Sequence, residues 1–181
     1  MRGFTNGVAR RTVAALATLS LLAGCGADEP VEPKAWWKSV CGAVKPWTAQ
    51  IKTLQGEAQR KITSKSDAEQ TKSQLVTLFG GMADATDSAL VKVRKAGVPD
   101  VKDGEKVADQ FVRALTAARD SFATGKRAVE KLSTADQAAF YDGVVAAGDV
   151  MSKQNSKAGQ AFGDLKSPEL DKAFNEVPEC R

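Results

Sequence analysis

Apolar side chains recur at intervals of three and four residues through four long segments of the chain, and this spacing constrains the fold most. It places the apolar side chains on one face of an α-helix, whereas a half-buried strand alternates polar and apolar residues. No segment after residue 33 shows that alternation. The apolar positions of the four segments are, in chain order, Trp36, Val40, Val44, Trp47, Ile51, Leu54 and Ala58; Leu75, Leu78, Met82, Ala85, Ala89 and Val93; Val107, Phe111, Ala114, Ala118, Phe122, Val129 and Leu132; and Phe140, Val144, Ala147, Met151, Ala158, Phe162 and Leu165.

Four long amphipathic helices with short connections pack against one another in chain order. We therefore predict an all-α fold, an up-down-up-down four-helix bundle whose neighbouring helices lie roughly 20° from antiparallel. Ser167 and Pro168 predict the start of a short C-terminal fifth helix that continues through Phe174. The tight junction at Ser133 and Thr134 predicts that the third and fourth helices form a helical hairpin.

Helix starts are indicated by two capping-box patterns. Residues 66–69 read Ser-Asp-Ala-Glu and residues 134–137 read Thr-Ala-Asp-Gln. In a capping box the first residue caps the helix, so Ser66 and Thr134 are the predicted caps of the second and fourth helices. The third helix is predicted from about residue 103 to residue 132.

Prolines and one glycine indicate where helices are interrupted. Gly97, with Pro99 just beyond it, predicts the end of the second helix. Pro46 lies inside the first apolar segment, and proline removes a helical hydrogen bond. The first helix is therefore predicted to kink or divide just before Trp47.

The N-terminal segment is basic and then apolar, and it ends in Leu-Ala-Gly-Cys at positions 22–25. Arg10 and Arg11 precede an apolar run over residues 13–23, which is shorter than the roughly 20 residues that span a bilayer. This arrangement is typical of a secretory signal peptide. Its ending resembles the lipobox of bacterial lipoproteins, which implies cleavage before Cys25 and a thioether-linked diacylglycerol on that residue. An ordinary signal peptide with an incidental cysteine is the alternative, and both the general and the twin-arginine export routes stay open.

The chain divides at this point into a signal peptide at residues 1–24, a lipidated tether at 25–33 and one domain at 34–181. The tether is acidic, contains two prolines and extends about 3 Å per residue. Removing residues 1–24 takes away three arginines and no acid, so the 26 basic residues fall to 23 against 22 acidic ones. A net charge of +1 gives no support for nucleic-acid binding.

Two cysteines remain once Cys25 is acylated. Cys41 and Cys180 form an even pair in an oxidising, extracytoplasmic compartment, and we expect a disulfide between them. Two buried free thiols or a metal pair are the alternatives, although a zinc site needs further ligands that the chain does not offer as histidine or cysteine. The disulfide would join the C-terminus to the first helix.

Histidine is missing from the sequence, which excludes Ser-His-Asp and Cys-His nucleophile systems and histidine-based metal motifs. Glycine-rich phosphate loops are missing as well. The carboxylate pairs Asp84 with Asp87 and Asp142 with Asp149 flank the apolar faces, so we interpret them as solvated surface. We expect no catalytic residue, no cofactor and no metal site.

Three features remain as weak functional leads. Trp36 and Trp37 follow the tether and either lie at the membrane interface or complete the end of the core. Gln154 and Asn155 interrupt the fourth apolar face and either fix helix register or mark a site. Small helical residues either allow close packing or leave room for an apolar ligand; they are Gly80, Gly81, Ala85, Ala89, Gly143, Ala147 and Gly148.

The lipobox, the acidic tether, the alanine-rich helices and the C-terminal Pro-Glu-Cys together resemble the small lipoproteins of high-GC Gram-positive actinobacteria. The resemblance implies lipidation and a location on the extracytoplasmic face of the cell membrane, and it implies no activity. We expect a non-enzymatic, membrane-tethered module that binds an envelope protein or a small apolar ligand. The alternative is an enzyme, or an enzyme subunit, that acts on envelope lipid or glycan through carboxylates.

Overall fold

The computed structural model describes residues 29–163 and 167–181, and for residues 155–163 it describes the backbone alone. The predicted signal peptide and Cys25 lie outside the described residues. Within this part, the chain forms helices α1 (Pro33–Lys61), α2 (Ala68–Arg94), α3 (Gly104–Glu130), α4 (Gln137–Gly163) and α5 (Pro168–Glu176), followed by a 3₁₀ turn (Pro178–Cys180). The predicted all-α four-helix bundle with a short fifth helix is confirmed. None of the helices described is both long enough and apolar enough to cross a membrane.

The core runs along the bundle in three apolar clusters. Trp36, Val40 and Leu170 belong to the cluster at the end of the bundle that also holds the disulfide, which we call the disulfide end. Leu90 and Leu115 are buried in the middle cluster. The cluster towards the opposite end, which we call the distal end, contains buried side chains from three different helices: Met82, Phe122 and Met151.

Helices α1 and α4 do not close against each other along the side of the bundle. Each of α1, α2 and α3 packs directly on the helix that follows it, as the hairpin connections require. In the described part of the chain, however, no Cα atom of α1 lies within 8 Å of a Cα atom of α4. The bundle therefore has an open seam between its first and fourth helices.

At the disulfide end α5 packs on α1. Leu170 of α5 is buried against Trp36, and the Leu170 carbonyl oxygen accepts a hydrogen bond of 2.9 Å from Nε1 of Trp37. The Cys41–Cys180 disulfide, which the sequence predicted, joins α1 to the C-terminal turn with a Cα–Cα distance of 5.1 Å. With only nine residues, α5 is about 14 Å long and covers a fraction of the length of α1.

Ser167 caps α5 as predicted, whereas the caps of α2 and α4 differ from the predicted ones by one or two positions. Asp67, and not Ser66, caps α2, because its side chain accepts a hydrogen bond from the backbone N–H of Gln70. At α4 the Asp136 carboxylate accepts from the backbone N–H of Ala139, so the predicted capping by Thr134 is wrong. Both capping boxes contain an aspartate, and a carboxylate at the first turn also interacts favourably with the helix dipole.

Pro46 does not divide α1, which is assigned as one continuous helix from Pro33 to Lys61. The proline ring lies on the exposed side of the helix. Ala43 and Trp47, on either side of it, both pack in the middle apolar cluster. Tertiary packing of both halves therefore outweighs the one hydrogen bond that Pro46 removes.

The segment that precedes α1 is hydrogen-bonded to the loop that follows α2. Gly97 adopts a φ of 72°, the left-handed conformation of a helix C-terminus, as the sequence predicted. Val31 pairs with this loop: its N–H donates to the Val98 carbonyl oxygen and its own carbonyl oxygen accepts from the N–H of Asp100, both at 2.7 Å. Val31 is thus part of the folded domain, which leaves residues 25–30 as the predicted spacer.

Candidate functional site

The open seam forms an apolar groove of about 590 Å³ towards the distal half of the bundle. We call it the α1–α4 groove. Its exposed edges are Gln55 on α1 and Gly148 and Ser152 on α4. Its inner wall consists of buried and half-buried apolar side chains from α2, α3 and α4: Leu78, Phe79, Met82, Phe122 and Met151.

A second apolar groove adjoins the first between α1 and α2. It has a volume of about 460 Å³ and shares Gln55 and Leu78 with the α1–α4 groove. Ala58, Ile62 and Leu75 supply the rest of its apolar lining. Apolar surface therefore continues past Gln55 towards the distal end.

The α4 edge of the groove continues along the helix as an exposed face of mixed polar and apolar residues. Tyr141, Val145, Gly148 and Ser152 follow one another at intervals of four, three and four residues, which places them on one face of α4. The side chain of Val145 is 64% exposed although it is aliphatic. The Tyr141 hydroxyl lies 3.4 Å from the Oγ1 atom of Thr71, so this face is directed towards α2.

The small helical residues, which left two interpretations open, fall into two groups. A Cβ atom on Gly81 would lie 3.1 Å from Leu54, and one on Gly143 would lie 2.5 Å from Leu132, so these glycines serve close helix packing. A Cβ atom on Gly148 would meet nothing within 4 Å. Of these two glycines of α4, Gly148 therefore borders open space at the groove, whereas Gly143 packs against Leu132.

The carboxylates singled out in the sequence do not converge on the groove. Asp84, Asp87, Asp142 and Asp149 are all exposed, as the sequence predicted. Asp87 forms a 3.2 Å ion pair with Arg119 of α3, and hydrogen bonds from that guanidinium to Asp120 and Asp87 raise the pKa of Arg119. Among the described residues no group of three metal-ligating side chains is placed together.

Trp36 and Trp37 belong to the core at the disulfide end and do not project from the domain. Trp36 is 1% exposed, and its Nε1 donates a 3.0 Å hydrogen bond to the Gly97 carbonyl oxygen. The rings of both tryptophans meet Phe111 edge to face, with centroids 5.3 and 5.5 Å away. The interpretation that these residues complete the core is confirmed. Gln154 is exposed, so it does not fix helix register, and the side chain of Asn155 lies outside the described part.

Two buried polar contacts were missed by the sequence reasoning. Thr86 is fully buried, accepts a 2.9 Å hydrogen bond from Nε1 of Trp47 and donates to the Met82 carbonyl oxygen at 2.7 Å. Ser121 is fully buried beside the Met151 carbonyl oxygen, 3.5 Å away. Thr86 lies one helical turn after Met82, and Ser121 precedes Phe122, but the partners of their hydroxyl groups are set by helix packing, which spacing along one helix does not reveal.

No known protein family, curated protein or solved structure matches the chain. The groove and the predicted lipid anchor are therefore the features on which a proposal for the function can rest.

Proposed function

We propose that this protein is a non-enzymatic, lipid-anchored binding module of the cell envelope that holds an apolar ligand in the α1–α4 groove. The observation that carries the proposal is the open seam, which leaves a groove of about 590 Å³ whose inner wall is apolar. Small-molecule sites are typically concave, largely apolar and about 300–1,000 Å³ in volume. The volume of the groove falls within this range, and its inner wall is apolar.

The groove chemistry favours binding over catalysis. Its described lining is apolar apart from Gln55 and Ser152, and no carboxylate, lysine or cysteine is part of it. A carboxylate mechanism on a glycan needs two acids roughly 5–10 Å apart across a cleft. The exposed acids named above lie on solvated helix faces, and none of them lines the groove.

The predicted anchor supplies the cellular context of the proposal. A diacylglyceryl group on Cys25 would hold the domain at the outer face of the cell membrane, since two acyl chains anchor stably. With Val31 fixed to the domain, the spacer from Cys25 to Pro30 reaches about 15–20 Å when extended. The groove lies in the distal half of the bundle, about 33 Å along α1 from Pro33, so the anchor and the groove are at opposite ends of the domain.

Titration with the uncharged dye N-phenyl-1-naphthylamine, whose fluorescence rises in apolar surroundings, tests the proposal on the full mature chain. Wild-type protein is expected to bind the dye saturably. Gly148→Leu places an aliphatic side chain in the open groove and is expected to weaken binding at least tenfold.

Gly42→Leu is the matched control, because Gly42 is also an exposed helical glycine whose Cβ atom would meet nothing within 4 Å, and it lies on α1 before Pro46. It is expected to bind as wild type does. Absence of saturable binding, or equal binding by the Gly148→Leu variant, would contradict the proposed function.

A further inference from the structure

The two edges of the open seam carry opposite charges. On the α1 edge, Lys52 precedes Gln55 by three residues, and on the α4 edge Asp149 precedes Ser152 by three residues. Each charged residue is exposed and lies, at this helical spacing, beside a residue that borders the groove. In the part of the chain that the structure describes, neither forms an ion pair. The seam therefore has a positive edge on α1 and a negative edge on α4.

The other charged residues of the two helices at this level lie further from the seam. On α1, Glu57 is two residues from Gln55, which at about 100° per residue places it on the opposite side of the helix. On α4, the same angle places Asp142 and Lys153 further round the helix from the groove than Asp149. One lysine and one aspartate therefore dominate the charge at the two edges.

Apolar surface is exposed between the two edges. The side chain of Val145 is 64% exposed, and Tyr141 on the same face of α4 is exposed as well. In the distal half, α1 and α4 each lack the contact that would close the bundle. Exposed apolar surface with a polar rim is typical of a surface that another protein covers.

A second copy of the chain carries the matching charges. If two copies face each other across a two-fold axis parallel to the bundle, α1 of one copy lies against α4 of its partner. Lys52 then comes opposite Asp149 of the partner subunit, and the same pair recurs on the other side of the axis because the interface is isologous. A two-fold axis perpendicular to the bundle would instead place α1 against α1, with like charges opposite each other, which is unfavourable.

The start of the folded domain favours the same axis. Val31 is hydrogen-bonded to the loop at Val98 and Asp100, so the predicted tether leaves the domain at the disulfide end. With the axis parallel to the bundle, this end of both copies lies on the same side, where both predicted anchors reach one membrane. The perpendicular axis would place the two tethers at opposite ends of helices about 44 Å long.

We propose that the open seam is an interface between two copies of this chain, in which α1 of each copy packs against α4 of the other and Lys52 pairs with Asp149 of the partner subunit. The two α1–α4 grooves then face each other, and each copy shields the apolar wall of the other from water. This interface goes beyond the proposed function and does not depend on a bound ligand.

The contact is small, so association is expected to be weak and reversible. Each copy contributes two helix faces of about three turns each, which is less than the interface of a permanent dimer. Confinement of both copies in one membrane raises their effective concentration, so that a weak contact suffices there.

Reversal of the two charges, singly and in a mixture, tests the pairing by sedimentation equilibrium of the full mature chain in density-matched detergent. Lys52→Glu and Asp149→Lys each turn both attractive contacts into repulsive ones. Each variant alone is therefore expected to dimerise roughly tenfold more weakly than wild type. In an equimolar mixture of the two variants each contact again joins opposite charges, and mixed dimers are expected to form with near wild-type affinity.

Lys92→Glu is the matched control, because it reverses an exposed lysine of α2 at the disulfide end and should leave dimerisation unchanged. Melting curves show whether each variant is folded. A wild-type chain that stays monomeric at about 1 mM, the effective concentration that short tethers provide, would overturn the interface. Single variants that associate as wild type does, or a mixture that associates no more tightly than either variant alone, would overturn it as well. Dye binding is measured separately, so these results leave the proposed function standing.

Discussion

At the scale of single residues, the helical glycines differ in what surrounds them, and the surroundings decide what a substitution does. Gly42 and Gly148 face open space, whereas the loop residue Gly97 has a φ of 72° and lies near the Val31 side chain. Glycine in a helix interior is less favourable than alanine by roughly 0.5–1 kcal/mol. In the left-handed region the preference reverses, because a Cβ atom is strained there.

Gly148→Ala and Gly42→Ala are each expected to raise the free energy of unfolding by roughly 0.5–1 kcal/mol, and Gly97→Ala is expected to lower it by about 1–2 kcal/mol. Chemical denaturation of the three variants measures these changes. A loss of stability in Gly148→Ala would mean that the α4 edge is already packed and that the groove is not open.

The capping-box residues located the starts of α2 and α4 but did not indicate which of two neighbouring side chains caps each helix. Ser66 is followed by Asp67, and Thr134 is followed two residues later by Asp136, so each start offers two side chains able to accept from the first turn. Ser66 instead accepts from the N–H of Thr63, and Thr134 donates to the Glu69 carboxylate. These contacts depend on the preceding turn and on a neighbouring helix, which local spacing does not reveal.

At the scale of elements, the short C-terminal segment is held on α1 by three kinds of contact. The disulfide joins Cys41 to Cys180, Leu170 is buried against the tryptophans, and Lys34 forms an ion pair of 2.5 Å with Glu176. A nine-residue helix is too short to be stable alone. The stability of α5 therefore follows from these contacts and not from its own helix propensity.

Reduction of the disulfide is expected to lower the melting temperature by several degrees, because the bond closes a loop of 139 residues and such bonds typically contribute about 2–5 kcal/mol. Hydrogen exchange measured by mass spectrometry should show the loss of protection first in α5 and the C-terminal turn. The Cys41→Ser/Cys180→Ser variant is the control and should not respond to reductant. Unchanged exchange in α5 after reduction would contradict this assignment of its stability.

The docking of α5 is also expected to weaken in acid. The hydrogen bond from Lys34, and then its charge, lowers the pKa of Glu176 below the usual value of 4.5, and the same contact raises the pKa of Lys34. A carboxyl group whose pKa is lower in the folded state stabilises that state at neutral pH, and this contribution is lost as the pH falls through the lowered pKa.

Hydrogen exchange of α5 as a function of pH measures this loss, after correction for the intrinsic pH dependence of exchange. Glu176→Gln is expected to show weaker protection at neutral pH and a flatter acid response than wild type. Glu169→Gln changes another exposed acid of α5 and serves as the control. Identical pH profiles for wild type and Glu176→Gln would exclude a role for this ion pair in docking.

The apolar periodicity predicted the positions of the helices, but the proline inside α1 did not predict a break in that helix correctly. The apolar spacing that begins at Trp36 predicts α1 correctly, because a helix buries one face and that face is formed by residues three and four positions apart in the same segment. The expected division at Pro46 depended on a local rule, and packing on both sides of the proline overrode it. The intrinsic tendency of proline to break a helix can therefore be outweighed by the tertiary packing of the residues on both sides of it.

For the molecule as a whole, the open seam between α1 and α4 is the feature on which the proposed function rests. Spacing along each helix predicts which face turns inward but not whether the first and last helices close against each other. At the disulfide end, α5 packs on α1. In the distal half, Gly148 and the exposed Val145 lie on α4 where, in the described part of the chain, no Cα atom of α1 comes within 8 Å of α4. The bundle was therefore predictable from the sequence, whereas the groove that we propose as the binding site was not.

Native mass spectrometry of the protein purified from its own membrane reports the predicted anchor and any bound ligand in one spectrum. We expect a chain that begins at Cys25 and carries a diacylglyceryl mass, with an additional apolar ligand that dissociates on gentle activation. The additional mass should persist in Gly42→Leu and be absent from Gly148→Leu. A chain without the anchor mass, or a wild-type protein with no bound ligand under conditions that preserve non-covalent complexes, would contradict the proposed function.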